Sequence, residues 1–197
     1  MKRAISGLAV VFILCFAITS AFALDFDWYP KVSGYGDDVK SKITVGDGLY
    51  RVHFTNTGSS NFAVWVYDSD GNRDLAVNEI GNYDGYYFLT GDGPYTFEIE
   101  SKGSWSYQIE SLSVTSKSSF SGKGCYVTDL FENSSAVWRF THDGSSNFAV
   151  WLYSTNGRDL LINEIGRYDG KKILNVPSDS YAILVIEADG YWSAIPQ

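Results

Sequence analysis

The sequence predicts an all-β protein: two tandem antiparallel β-sandwich modules of the jelly-roll or immunoglobulin-like kind, placed after a cleaved signal peptide. Three observations lead to this prediction. The chain repeats itself, its segments have the composition of short strands bounded by turn residues, and no helical periodicity occurs after the first 23 residues. Seven or so short strands in about 85 residues are typical of such a sandwich.

The N-terminal segment has the features of a secretory signal peptide. It opens with Lys2 and Arg3, continues with an apolar run from position 8 to 18, and ends in Ala21-Phe22-Ala23, which resembles a cleavage site. The apolar run is shorter than the roughly 20 residues that a membrane-spanning helix needs. We therefore expect residues 1–23 to be removed, leaving a secreted or extracytoplasmic protein without a membrane span.

Charge and cysteine content limit the partners. The chain has 15 Lys and Arg against 23 Asp and Glu, a formal net charge of −8, and the signal peptide carries two of the positive charges. Because an acidic protein repels phosphate, we expect no nucleic-acid partner. Cys125 is the one cysteine left after cleavage, so no internal disulfide can form. It is either a small buried residue or one that pairs between molecules.

An internal repeat divides the chain in two. The stretch FTNTGSSNFAVWVYDSDGNRDLAVNEIGNYDG at 54–85 matches FTHDGSSNFAVWLYSTNGRDLLINEIGRYDG at 140–170, which is one residue shorter. In the gapless blocks 58–67 and 72–85, nineteen of twenty-four positions are identical. SGYG and GSWS in the first copy correspond to SGKG and GYWS in the second. The first repeat therefore spans 27–114 and the second repeat 117–197.

The predicted strands of the first repeat are short and rich in β-branched and aromatic residues. In order they are KITV, YRVHF, NFAVWVY, LAVNEI, YYFLT, YTFEIE and SWSYQIE. The turn signals GDG, SDGN, NYDG, GDGP and SKGS separate them. In a sandwich, each such strand has one core face and one outer face.

The duplicated strand NFAVWVY is apolar on both faces. At period two, Phe62, Val64 and Val66 point one way, and the aromatic residues point the other. If the first set fills the core, the aromatic pair lies on the outer sheet face, where it could stack on sugar rings or be covered by a loop, the other repeat or another molecule. The candidate ligand-binding residues are therefore Trp65, Tyr67, Trp151 and Tyr153.

The segment DSDGNRD places oxygen-bearing side chains at alternate positions around a glycine, and Ca²⁺ prefers oxygen ligands. The candidate metal ligands are Asp68, Asp70, Asn72 and Asp74. The second repeat reads STNGRD at this place, so any calcium site would be single and structural. A hairpin turn with solvated acids explains the same residues, because Asp, Asn and Gly dominate turns. We expect no other cofactor.

No pattern in the sequence indicates an enzyme. Glu79 and Asp84, the only carboxylate pair considered for glycoside hydrolysis, both stand beside tight turns. His53 and His142 occupy different positions in their repeats, and neither lies in a nucleophile motif. Zinc spacings, phosphate loops and dinucleotide motifs do not occur. We therefore expect a non-catalytic protein.

The spacing of SNFAVWVYDSDG, NEIGNYDG and GPYTFEIESKGSWS, together with its second copy, resembles a class of small secreted β-sandwich repeats of bacteria and archaea. The resemblance covers nearly all of the chain after the signal peptide. The general layout is also similar to prepeptidase C-terminal modules, accessory sandwiches attached to exported proteins. These resemblances imply an exported, non-catalytic module, and they carry over no active-site residue.

Two functional hypotheses follow. The first is a binding or adhesion protein of the cell surface, whose partner is an extracellular glycan or another cell-surface protein. Two matched weak sites on a short tether gain affinity through a raised effective concentration. The alternative is a cell-envelope or filament subunit that self-associates, in which the segment LDFDWYPKV at 24–32 adds as a strand to the sheet edge of a neighbour.

Overall fold

The computed structural model describes residues 29–91, 93–132 and 136–197. Every helix or strand in these residues is a β-strand, so the predicted all-β sandwich character is confirmed. The signal peptide predicted over 1–23 lies outside the described residues. Within those ranges, no helix is long and apolar enough to cross a membrane.

The first repeat forms a sandwich from two very long strands and their shorter neighbours. Its strands are β1 (Val32–Tyr35), β2 (Asp38–Ile43), β3 (Leu49–Tyr67), β4 (Arg73–Thr90), β5 (Tyr95–Ser101) and β6 (Ser104–Ser111). Their order is β1-β6-β3-β5-β2, with β4 beside β3. The first part of β3 pairs with β6 over 50–56 and the second part pairs with β5 over 62–67. Each long strand therefore contributes to both layers of the sandwich.

The second repeat has the same architecture with its long strands divided. Its strands, with the connecting β7, are β7 (Val114–Thr115), β8 (Phe120–Lys123), β9 (Tyr126–Val127), β10 (Leu130–Glu132), β11 (Val137–His142), β12 (Asn147–Ser154), β13 (Gly157–Ile165), β14 (Tyr168–Ile173), β15 (Tyr181–Ala188) and β16 (Tyr191–Pro196). One sheet has the order β13-β12-β15-β10-β7, with β9 beside β15, and the other has the order β14-β11-β16-β8. By sequence, β11 and β12 correspond to β3, and β13 and β14 correspond to β4.

The continuity of β3 differs from the sequence prediction, which treated YRVHF and NFAVWVY as separate strands. In the second repeat the corresponding strands do separate, because the Asp189 carboxylate accepts hydrogen bonds from the backbone N–H groups of Ser145 and Ser146 at 3.0 and 2.9 Å. The first repeat has Lys102 in place of Asp189. A lysine cannot accept these bonds, and the strand runs on through the corner.

Buried apolar side chains form two clusters, one in each repeat, and each cluster draws on both layers of its sandwich. The first cluster includes Phe54 and Phe97, and the second includes Trp138 and Phe148. The residues Phe62, Val64 and Val66, predicted to face the core, are all buried in the first cluster. This confirms which face of the duplicated strand points inward.

Two matched pairs of glycines bring backbone against backbone at the corner of each sandwich. An ideal Cβ on Gly103 would lie 2.6 Å from the Cα of Gly58, and one on Gly190 would lie 2.6 Å from the Cα of Gly144. Real Cβ atoms are not found this close to backbone atoms. The glycines shared by the two copies therefore serve a close approach of two chain segments.

The matched tryptophans near the end of each repeat are structural. The indole N–H of Trp105 donates to the carbonyl of Gly36 at 2.8 Å, and that of Trp192 donates to Gly124 at 2.9 Å. Both rings are buried in their clusters. The motifs SGYG and SGKG thus recur because each supplies the acceptor, and the closely packed glycine, for one tryptophan.

Candidate binding faces

The paired aromatic residues of the first repeat lie on an outer sheet face. Directly paired residues share a face of a sheet, and Trp65 pairs with Glu98 and Leu75 while Tyr67 pairs with Arg73. We define the Trp65 face as the outer surface made by Val39, Trp65, Tyr67, Arg73, Leu75, Glu98 and Glu100. The sequence placed the aromatic pair on this surface but did not find the residues around it.

Both candidate aromatic residues are half-buried and already have partners within the chain. The guanidinium of Arg73 lies 4.4 Å from the centroid of the Trp65 ring, which is cation–π geometry. The hydroxyl of Tyr67 donates to Glu98 Oε2 at 2.6 Å. The face therefore presents ordered aromatic edges beside carboxylates.

The second repeat reproduces this arrangement around Trp151. The guanidinium of Arg158 lies 4.5 Å from its ring, and its indole N–H donates to Glu187. Burial raises the pKa of Glu187, although the bonds from Trp151 and Asn147 oppose that shift. The Arg-Asp pair that recurs in the sequence could have indicated this contact, because in both copies the arginine follows the hairpin turn and stacks on the tryptophan.

The outer face of the second repeat is covered by the first repeat. The ring of Tyr153 lies 4.8 Å from that of Phe88. Val127 is 0% exposed and Ile183 is 2% exposed, although neither belongs to the core cluster of the second repeat. The residue of the first repeat equivalent to Val127 is Val39, which is 58% exposed. The same face is thus closed in one repeat and open in the other.

Arg51 is central to the contact between the repeats. Its side chain donates to Glu110 Oε2 at 2.7 Å and to the carbonyl of Val127 at 3.1 Å, and it lies 3.7 Å from Asp129. Burial alone would lower the pKa of Arg51, but the bond to Glu110 and the charge of Asp129 outweigh it and raise that pKa. The Arg51 guanidinium lies 5.2 Å from the ring of Tyr86 and 5.8 Å from that of Tyr126, and the two rings lie 5.1 Å apart.

The second repeat has an open face on its other sheet. We define the Arg139 face as the outer surface of the sheet β14-β11-β16-β8, made by Lys123, Val137, Arg139, Lys171, Ile173, Tyr191 and Ile195. Arg139 binds both oxygens of Asp169, at 2.8 and 2.6 Å, and this bond holds the pKa of Asp169 below its usual value. Ile173 is 69% exposed. The sequence prediction missed this face.

The loop that holds the candidate calcium ligands is closed by its own hydrogen bonds. Asp68 Oδ1 accepts from the N–H groups of Asp70 and Asn72 at 3.0 and 2.8 Å, and Asp68 Oδ2 accepts from the Asn72 side chain at 2.9 Å. Asp74 instead accepts from the Tyr87 hydroxyl at 2.9 Å. In the described residues, no group of three or more His, Cys, Asp or Glu side chains could hold a metal ion. The geometry favours the turn over the cation site.

We expect Asp68→Ala to lower the free energy of unfolding by about 0.5–1.5 kcal/mol, because it removes the acceptor that closes the turn. Asp70→Ala is the matched control, since the Asp70 side chain has no comparable role, and it should leave stability almost unchanged. Thermal melts with and without EDTA measure both effects. A melting temperature that falls on chelation, equally dependent on Asp68 and Asp70, would contradict this expectation and support a bound calcium ion.

The residues considered for catalysis do not come together in a reactive arrangement. His142 is buried, with Nδ1 2.8 Å from the Gly166 carbonyl and Nε2 3.2 Å from Asp189 Oδ1. It lies beneath a shallow depression lined in part by Thr141 and Tyr191. Both ring nitrogens thus face oxygens of the chain itself. The Nδ1 contact joins this histidine to Gly166, while the buried Nε2 makes no hydrogen bond.

Glu79 and Asp84 lie on different parts of β4. Glu79 pairs with Phe62 and Asp84 with Thr55, on either side of the corner in β3. Asp84 is bound to His53 Nε2 at 2.7 Å. With the two residues on either side of the corner and Asp84 bound to a histidine, nothing in their contacts indicates the facing carboxylate pair that glycoside hydrolysis uses.

Cys125 is half-buried where the two repeats meet. Its carbonyl accepts the backbone N–H of Tyr86 at 3.1 Å. Burial raises the pKa of its thiol, although bonds with Ala188 and Tyr83 oppose the shift. A raised pKa keeps the thiol protonated and poorly reactive.

Comparison with known proteins finds no matching family and no similar curated protein.

Proposed function

We propose that the protein is a secreted, non-catalytic binding protein that adheres at the cell surface, and that the Trp65 face is its binding surface. One observation carries the proposal: the equivalent face of the second repeat is covered by a protein surface, while Val39 leaves the Trp65 face open at 58% exposure. Each repeat, 27–114 and 117–197, acts as one module. The signal-like residues 1–23 support export.

The chemistry of the covered face supports a protein partner. Where the second repeat has Ile183 and Val185 on this surface, the first has Thr96 and Glu98. The covered copy is thus more apolar than the open copy, which has Glu98 beside the aromatic rings. An open, polar face of this kind suits a partner that binds reversibly. The charges on the two surfaces then determine which partner binds.

A glycan is the second candidate partner, supported by the adjacent half-exposed rings of Trp65 and Tyr67. Aromatic rings beside carboxylates can stack on a sugar and bond its hydroxyls. Arg73 already covers one face of the Trp65 ring at 4.4 Å, so a sugar would have to displace it or use the ring edge. This competition is why we rank the protein partner first.

The test is retention of the purified protein on cell envelopes of the producing organism. We expect Val39→Glu to reduce retention at least about tenfold, because it replaces an exposed apolar side chain with a second carboxylate directly beside Glu98. Ile165→Glu is the control, since Ile165 is 83% exposed at the sandwich corner, away from both faces. Equal retention of the two variants would overturn the proposal.

Treating the envelopes separates the two partners. Binding that survives periodate oxidation of sugars and is lost after protease treatment supports a protein partner. The reverse pattern, together with a glycan-array signal that Trp65→Ala abolishes, supports the glycan.

A further inference from the structure

We propose that the protein assembles head to tail with copies of itself: the Arg139 face of one copy covers the Trp65 face of the next. The contact between neighbouring molecules has the same geometry as the contact by which the first repeat covers the second within one chain. This inference rests on the proposed function, because it names the partner of the Trp65 face. Four contacts between the repeats, three of side chains and one of the backbone, remain chemically compatible when they are transferred to the equivalent residues.

The first internal contact is aromatic and becomes a charge pair. Within the chain, the rings of Tyr86 and Tyr126 lie 5.1 Å apart. The equivalent residues are Lys171 and Asp38, by the matches YDGYY with YDGKK and SGYGDDV with SGKGCYV. Both aromatic residues are replaced at once, and by opposite charges. Asp38 lies 2.8 Å from Lys40 in the single chain, so Lys171 would share its carboxylate.

The second internal contact stays apolar. Phe88 and Tyr153 lie 4.8 Å apart within the chain, and their equivalents are Ile173 and Tyr67. Ile173 is 69% exposed on the Arg139 face. An exposed isoleucine and a half-exposed tyrosine ring are suitable partners, since their contact removes apolar surface from water.

The third internal contact loses both of its charges together. Arg51 bonds the Val127 carbonyl and approaches Asp129 at 3.7 Å. The residue equivalent to Arg51 is Val137, and those equivalent to Val127 and Asp129 are Val39 and Ser41. No charge is left unpaired in the transferred contact, and two exposed valines meet.

Backbone and long-range charge are also compatible. The bond from the Tyr86 N–H to the Cys125 carbonyl transfers to the N–H of Lys171 and the carbonyl of Asp37, and it requires no particular side chain. Glu98 and Glu100 give the Trp65 face negative charge, while Lys123 and Lys171 give the Arg139 face positive charge. Such complementarity favours this pairing over either face meeting its own kind.

Two different surfaces meet in this contact, so it is heterologous. A heterologous contact leaves one free face at each end of every oligomer, and growth continues unless the rotation closes a ring. The expected product is therefore a chain of sandwiches of variable length, each joined to the next in nearly the same way whether or not the polypeptide is continuous.

Sedimentation of the purified protein tests the proposal. We expect the mass of the wild type to rise with concentration, and Ile173→Glu and Val39→Glu each to weaken association at least about tenfold. The matched control Ile165→Glu should assemble like the wild type. Circular dichroism establishes that each variant is folded, and Lys171→Asp, an exposed replacement, provides a second disruption of the Arg139 face.

Mixing the variants tests the head-to-tail geometry. Ile173→Glu retains an intact Trp65 face and Val39→Glu retains an intact Arg139 face, so an equimolar mixture should give one-to-one dimers and nothing longer. The double variant Lys171→Asp, Asp38→Lys should recover assembly that Lys171→Asp alone loses. A mixture that remains monomeric while the wild type assembles would overturn the proposed geometry.

The two proposals fail separately. A wild type that stays monomeric at every concentration overturns self-assembly, and if Val39→Glu still loses envelope binding, the proposed binding function stands with a different protein as the partner. Assembly without any Val39-dependent retention on envelopes would instead overturn the proposed cell-surface role.

Discussion

Trp138→Ala should lower the free energy of unfolding by about 3–5 kcal/mol, the cost of truncating a large aromatic residue in a closed core. Trp138 is fully buried in the second core cluster, with its ring 5.4 Å from Phe131 and 6.3 Å from Phe120. The two sheets of the sandwich are held by backbone hydrogen bonds, so they move only partly into the space that the tryptophan leaves. A large cavity would therefore remain among aromatic neighbours that cannot fill it.

Chemical denaturation measures this effect, and Trp151→Ala in the same repeat is the control. Trp151 is half-buried on an outer face beneath Arg158, so its removal should cost only about 1–2 kcal/mol from lost burial and cation–π contact. If the two variants lost the same stability, the assignment of Trp138 to the core and Trp151 to an outer face would be wrong.

Arg51→Ala should lower the free energy of unfolding by roughly 2–3 kcal/mol and should loosen the coupling between the repeats. Removing one partner of a buried ion pair costs more than this, but Glu110 and Asp129 keep part of their hydration and reduce the cost. The variant also loses the bond to the Val127 carbonyl. The contact that holds the first repeat against the second is weakened.

Calorimetry separates the two consequences of Arg51→Ala. In the wild type we expect one cooperative transition, because the repeats share a buried contact; in the variant we expect two transitions or one broadened transition. Arg139→Ala is the control, since Arg139 forms an exposed pair with Asp169 and contributes little to stability. A single sharp transition in Arg51→Ala would show that the repeats are coupled by other contacts.

The sandwich architecture and the inward face of the duplicated strand could be predicted from the sequence, because both depend on local patterns. Alternation at period two identified Phe62, Val64 and Val66 as core residues, and they are buried. The length of β3 could not be predicted in this way. In the second repeat, the distant Asp189 accepts two backbone N–H groups where the strand ends. In the first repeat, Lys102 stands in its place and cannot accept them, and the strand continues through Gly58.

The residues around Trp65, and the whole Arg139 face, could not be predicted from the positions that are identical in the two repeats. Residues that are identical in the two repeats are those that both copies need in order to fold. Trp65 and Trp151 lie in a strand of this kind. A surface that meets different surroundings in the two copies is marked instead by difference. Val185 in place of Glu98, and Lys171 in place of Tyr86, are differences of this kind, and they lie where one copy is covered and the other is open.

The glycine contacts at the corner have a consequence for how such a chain can evolve. The contacts of Gly58 with Gly103, and of Gly144 with Gly190, join backbone to backbone, so they place no demand on the side chains of the outer faces. After the duplication, each copy was free to exchange surface residues for new neighbours without losing its shape. A lineage could therefore lengthen or shorten the array by whole units, and choose new associates by altering only the end surfaces.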